Sequence, residues 1–278
     1  MERPPVPCRV HLRKFITNMQ KLGNTCVRDL NVPLNVHIEG NIAAGKSSFI
    51  KHFENKPSLI TLPEPLLRWQ NFKGHNLLKM KYENNKEENN KEFEYLFQSY
   101  VNITRIEQIN NVFDKPGIRI MERSLQSSFH VFIQNSHEKE EMDELTYDVL
   151  KYMYDVFTTG AMKIMTTPDL IIYIRTSPET CLNRLRMRGR EGEQELGLEF
   201  LQQLHERHEK WLNTEDAEKD VKCQIMIIDG EQTHEKIEAE AIKVMREMSK
   251  LAAERKVLEH LAELCSDLST QEELHNCK

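Results

Sequence analysis

The sequence predicts an α/β domain with a doubly wound parallel sheet, and three observations carry that expectation. From residue 34 onward, short β-branched apolar runs alternate with longer stretches of helical periodicity, the order of parallel strands joined by crossover helices. The first of these runs leads into a glycine-rich loop and then into an apolar-periodic helix. With 278 residues, 39% of them hydrophobic, and a mean hydropathy of -0.61, the chain can bury one good-sized core and still carry polar extensions.

Five strands are expected, at residues 34–39, 58–62, 117–122, 169–174 and 223–228. Helical patterns fall between them at 46–54, 93–112, 125–135, 142–162, 178–187 and 198–212. The ends read differently. Residues 1–33 form a basic extension: between Arg3 and Arg28 there are six cations and no acid, while Leu12, Phe15, Ile16, Met19 and Leu22 recur at helical spacing. That pattern fits a mitochondrial presequence, although it is poor in serine, and equally a plain basic tail. Glu83 to Glu92 reads ENNKEENNKE, a solvated connection with nothing to bury. From Glu235 a helical pattern continues nearly to Leu268, so the expected division is an extension at 1–33, a domain at 34–248 and a helical tail at 249–278.

Charge and composition narrow the partners. Lys+Arg total 38 against Asp+Glu 44, a net charge of -6 spread evenly, which argues against a nucleic-acid polymer as ligand. No apolar run approaches the roughly 20 residues of a membrane helix, so no membrane partner is expected. Six cysteines without a C-x-x-C pair suit a reducing compartment. The cytoplasm is therefore expected, with the mitochondrion as the alternative that the basic extension offers.

Gly40-Asn41-Ile42-Ala43-Ala44-Gly45-Lys46-Ser47 fits G-x-x-x-x-G-K-[ST] at every fixed position, and Ser48 follows it into the helix. In such a loop the backbone curls so that amide hydrogens point inward, and the helix N-terminus adds partial positive charge where phosphate sits. Lys46 supplies a cation, and the Ser47 hydroxyl can ligate a Mg2+ that bridges the phosphates of a nucleotide such as ATP. An incidental glycine turn would need the fixed positions and both flanking elements to coincide. The loop is thus expected to be the phosphate cradle of a P-loop fold.

Glu64, in Leu62-Pro63-Glu64-Pro65, falls at the carboxyl edge of the second strand, the edge on which such sheets bind ligands. A carboxylate there repels an acceptor that is already a phosphate ester and suits a neutral hydroxyl whose proton must be removed. Glu122 and Arg123 end the third strand: an acid able to help hold Mg2+ and an arginine able to fix Glu64 or the acceptor, unless the two are only a structural pair. Arg184, Arg186, Arg188 and Arg190 alternate through LNRLRMRGRE, either as a solvated face or as a mobile arginine lid that neutralises a phosphoryl group in transfer, with Gly189 ending the helix.

EGNIAAGKSS, PEPLLRW, FQSYV, MERS, RTSPETCLNRLRMRGRE and LQQLHERHEKWL occur in an order and spacing that resemble the deoxyribonucleoside kinase family over about residues 34–248. The lid and phosphate loop are similar to its cytidine-directed members, FQSYV and MERSLQSS to its thymidine-accepting and multisubstrate members. The resemblance implies a P-loop kinase fold with an arginine-rich lid, a homodimer, and transfer from ATP to the 5′-hydroxyl of a deoxynucleoside in nucleotide salvage. It makes Glu64 the general base, Arg123 its partner, and Lys46 and Arg184, Arg188 and Arg190 phosphate ligands. It places Gln98 on the base edge, with Phe97 and Val101 beside it, Trp69 and Phe132 sandwiching the ring, and Tyr82 and Glu193 on the 3′-hydroxyl.

Three departures leave base preference open between pyrimidine-directed and broad. Arg105 stands seven residues after Gln98, where thymidine-accepting relatives carry methionine. Ser128 stands where the relatives with that arginine carry its aspartate, which leaves Arg105 without its carboxylate. Phe129 replaces a family arginine beside it. The competing functions are a nucleoside monophosphate kinase, which would face its acceptor with arginine instead of Glu64, and a catalytically silent nucleotide-binding module using the C-terminal helix. Asp114-Lys115-Pro116-Gly117 matches the D-x-x-G of switch GTPases, but it precedes its strand and no N-K-x-D follows.

Overall fold

The computed structural model describes residues 33–83 and 91–275, with side chains as far as 255 except at 161. The basic extension at 1–32 and most of the ENNKEENNKE stretch lie outside the described residues. Five parallel strands, β1 (Leu34–Glu39), β2 (Leu59–Leu62), β3 (Ile118–Glu122), β4 (Leu170–Arg175) and β5 (Gln224–Asp229), form one sheet in the order β2-β3-β1-β4-β5. β1 is central and wholly buried. Its Val36 and Ile38 enter the main core with Phe49, Phe53, Ile172 and Leu204. Its other face carries Asn35, His37 and Glu39, each buried. Asn35 Nδ2 donates to the carbonyls of Ile164 and Thr167, and Glu39 Oε1 accepts from Ser124 Oγ at 2.5 Å, whereas both ring nitrogens of His37 are buried without a hydrogen-bond partner among the described residues.

The helices are α1 (Lys46–Ile50), α2 (Leu66–Gln70), α3 (Leu77–Glu83), α4 (Lys91–Asn111), α5 (Leu125–Ser127), α6 (Gln134–Glu138), α7 (Glu144–Thr158), α8 (Lys163–Thr166), α9 (Pro178–Arg188), α10 (Leu198–Leu212), α11 (Ala217–Val221) and α12 (His234–His275). α12 is one continuous helix through residue 248. Among the described residues, no helix is long and apolar enough to cross a membrane.

Local chemistry explains where elements stop. The helix expected over 142–162 ends at Thr158, because the Thr158 and Thr159 hydroxyls take the carbonyls of Tyr154 and Asp155 and Gly160 then turns left-handed at φ 57°. α5 starts at a Ser124–Ser127 capping box and joins α6 through a π-helical turn (Ser128–Ile133), which carries the expected 125–135 helix on to Glu138. Gly189 closes α9 at φ 61°, as its place in the sequence predicts.

Candidate active site

The carboxyl ends of β1, β2 and β3 converge on a cavity of about 610 Å³. Gly40 follows β1 so closely that a Cβ there would lie 2.5 Å from the Ile174 carbonyl oxygen, and only glycine allows the turn. Residues 42–48 of the loop line the cavity; Gly40 and Asn41 do not. Asn41 instead ties the loop down, with Nδ2 donating to the Leu201 carbonyl at 2.8 Å and Oδ1 accepting from the Ile42 N–H at 2.8 Å. The Lys46 ammonium is buried and donates to the carbonyls of Gly40 (3.1 Å) and Asn41 (2.6 Å). Burial, helped by the charge of Arg123, pulls its pKa down to about 8. Ser47 Oγ donates to Glu122 Oε1 at 2.6 Å, so the two groups expected to hold a metal share one spot.

Glu64 faces the cavity, and its Oε1 accepts from Arg105 Nη2 at 2.8 Å and pairs with Arg123 Nε at 3.2 Å. Burial raises its pKa, but Arg123, Arg105 and Lys46 outweigh burial and hold the carboxyl below its ordinary range. Arg123 sits at φ 63°, a left-handed conformation that costs free energy in a residue with a long side chain. Its guanidinium lies 4.7 Å from the centre of the Phe132 ring. Arg105 has no aspartate at 128 to pair with and finds another carboxylate. It turns to Glu64, donates from Nη1 to the Glu122 carbonyl at 3.0 Å, and lies over Trp69 at 5.5 Å. The exchange is physical: with a serine at 128, whose Oγ bonds the Ser124 carbonyl, Glu64 is the carboxylate within reach.

Trp69, Phe97, Gln98, Val101, Ser128 and Phe132 line the far part of the cavity. Trp69 Nε1 donates to Thr104 Oγ1 at 3.0 Å, which fixes the indole plane. Phe129 faces away, stacked on Tyr154 with ring centres 4.6 Å apart. Tyr82 and Glu193 close the side of the cavity, and burial together with Glu193 and Glu64 pushes the Tyr82 pKa up.

The alternating arginines divide by side. Arg184 donates to the carbonyls of Ala44 (3.1 Å) and Gly230 (2.8 Å), clamping the phosphate loop to the end of β5. Arg188 Nη2 and Arg190 Nη1 take the two oxygens of buried Glu193 at 2.5 and 2.8 Å. Arg186 turns outward to the carbonyls of Gln194 and Leu196. Sequence reasoning missed Lys81, Asn135, Ser136 and Phe200 on the cavity wall. Lys81 adjoins Tyr82 in KMKY, which was the available signal; Phe200 was hidden because nothing in α10 says which of its faces meets Tyr82.

Fold and loop together define a P-loop kinase fold with helices on both faces of a parallel sheet. The family model for deoxynucleoside kinases matches residues 36–253. The chain belongs to the deoxynucleoside kinase family. It is 35% identical over 175 residues to mitochondrial thymidine kinase 2 of Homo sapiens, an alignment that covers 63% of each chain. The same enzyme of Macaca fascicularis gives the same identity and coverage. Deoxycytidine kinase of Rattus norvegicus is 34% identical over 200 residues, covering 64% of this chain and 74% of that enzyme. The chain thus spans 63% of the length of the two primate relatives.

Proposed function

We propose that this protein transfers the γ-phosphate of ATP to the 5′-hydroxyl of deoxynucleosides, a salvage reaction. The observation that carries the proposal is that one cavity holds both a glycine loop suited to phosphate and a half-buried carboxylate kept ionised by two arginines. Relatives named thymidine kinase and deoxycytidine kinase support the acceptor class. The kinase domain would occupy residues 34–248, with 249–278 as a helical tail.

In this reading Glu64 is the general base. Phosphoryl transfer passes through a loose transition state that asks more for positioning and charge neutralisation than for a strong base, and an ionised carboxylate hydrogen-bonded to the 5′-hydroxyl fits that demand. Arg105 and Arg123 keep Glu64 deprotonated and aimed. Lys46 and the loop amides hold the donor phosphates, and Arg184 holds the loop. Arg188 and Arg190 stabilise the group in transfer, while Tyr82 and Glu193 hold the 3′-hydroxyl and Trp69 and Phe132 the base. Ser47 and Glu122 supply hard oxygen donors of the kind Mg2+ prefers. Mg2+ bound there would neutralise charge on the donor phosphates.

A homodimer accounts for an apolar stripe that the monomer leaves uncovered. Leu96 and Ile103 on α4 and Leu145, Val149, Tyr152 and Val156 on α7 are exposed at helical spacing, and α4 and α7 touch. The working compartment is the cytoplasm, or the mitochondrion if the basic extension directs import.

The test is turnover by purified protein with ATP, Mg2+ and each of four deoxynucleosides, beside the corresponding monophosphates. Product from deoxynucleosides is expected. Product from monophosphates alone would make Glu64 a structural residue and the protein a monophosphate kinase.

A further inference from the structure

Behind the far part of the cavity lies a carboxylate that the transfer chemistry does not use. Glu94 is fully buried on α4, one turn before Gln98, and donors from three elements converge on it. Gln98 Nε2 donates to its Oε1 at 2.9 Å, Ser136 Oγ of α6 donates to the same oxygen at 2.9 Å, and the ammonium of Lys81 on α3 pairs with Oε2. Lys81 also reaches Glu141 Oε2 at 3.1 Å. The three donors line the cavity and Glu94 stands behind them. Lys81 supplies the opposite charge that a carboxylate at this depth needs beside it.

The consequence falls on Gln98. An amide side chain can turn over and exchange its donor and acceptor ends, but a carboxylate only accepts, so the nitrogen must face Glu94 and the oxygen must face the other way. Glu94 lies toward the N-terminus of α4. Arg105, bonded to Glu64, lies toward its C-terminus, so an amide whose nitrogen is held by Glu94 has the Glu64 end as the direction open to its oxygen. A pyrimidine nucleoside in the anti conformation with its 5′-hydroxyl at Glu64 presents its C5–C6 edge and 4-substituent toward that end and N3 away from it. The Gln98 oxygen then meets position 4, and the second N–H meets N3. A 4-amino base offers a donor at 4 and an acceptor at N3, which matches. A 4-oxo base offers the reverse, setting its 4-carbonyl against the Gln98 oxygen and its N3–H against the second Gln98 N–H, the kind of mismatch that discriminates strongly.

We infer that Glu94, held by Lys81, locks the Gln98 amide in one orientation and makes the site select 4-amino over 4-oxo pyrimidine deoxynucleosides. Glu94 and Lys81 are positioning residues for base recognition; the inference rests on the deoxynucleoside reading of the cavity. Calorimetric affinities and kcat/KM for deoxycytidine and thymidine, measured on the full chain and on Glu94→Gln, test it. The unaltered protein is expected to favour deoxycytidine at least about tenfold in both quantities. In Glu94→Gln the new amide can also donate to the Gln98 oxygen, so the ratio is expected to fall below about threefold, chiefly by a gain for thymidine, with the KM for ATP unchanged. Equal or thymidine-favouring behaviour of the unaltered protein overturns the inference, as does a Glu94→Gln variant that weakens both nucleosides alike. Should the single variant fail to fold because Lys81 has lost its carboxylate, Glu94→Gln with Lys81→Met removes both charges and carries the same expectation. Absence of turnover with either nucleoside while the affinity ratio and its collapse hold would refute the kinase reading and leave base selection standing.

Discussion

Lys46 and Glu64 are the residues whose roles follow most directly from their surroundings. Burial and the charge of Arg123 lower the Lys46 pKa to about 8, whereas bound triphosphate stabilises the ammonium and must raise it. ATP affinity is therefore expected to be flat below about pH 8 and to weaken above it by up to tenfold per pH unit, as free protein loses the proton that binding requires. Calorimetric titration across that range checks this, and affinity unchanged to about pH 9.5 would contradict it. Both residues were legible in the sequence because each sits in a contiguous signature, a glycine loop or a strand end. The Arg105–Glu64 pair and the Glu94 hub were not, because each joins side chains from separate elements that only packing brings together.

The loop and the apolar stripe belong to the scale of elements. Gly40→Ala forces a Cβ against the Ile174 carbonyl at 2.5 Å and onto a backbone at φ 144°. It is expected to destabilise by more than about 1 kcal/mol, lowering Tm by at least roughly 2 °C, and to weaken ATP binding about tenfold or more. Thermal melts and ATP titration measure both; a Tm and affinity like those of the unaltered protein would remove the steric reason for glycine. Ile103→Asp with Tyr152→Asp puts two charges into the exposed stripe of α4 and α7. Light scattering is expected to read a dimer for the unaltered chain and a monomer for the variant, and a monomer in both cases would leave the stripe without its proposed partner. Strand positions were readable to within about a residue or two because each apolar run is bounded by turn residues. α2, α3 and α11 escaped, being too short to show a period, and the break at Gly160 escaped because threonines capping carbonyls leave no apolar mark.

At the scale of the whole molecule, the fold encloses three imidazoles that it favours in the neutral state, His37 on β1, His130 in the π-helical turn and His208 on α10. Burial lowers the pKa of His37 to about 3 and of His130 to about 4, and holds His208 well below its ordinary value. The unfolded chain takes up these protons near pH 6.5, and the folded chain resists them. Their contribution to stability is complete above about pH 6.5 and is lost as pH falls toward 4, at no more than about 1.4 kcal/mol per proton per pH unit. Urea midpoints should drop steadily between about pH 7 and 5, and constant midpoints would show that these imidazoles titrate normally. The doubly wound order itself was legible, since alternating buried strands and crossover helices admit few other arrangements. The meeting of the glycine loop and the Glu64 carboxylate in one cavity is what the whole fold achieves, and Glu64→Gln tests the proposed transfer most directly. Calorimetry with ATP and a turnover assay on the same variant are predicted to give an unchanged ATP affinity with turnover reduced at least ~100-fold. Turnover within about threefold of the unaltered protein would contradict the account.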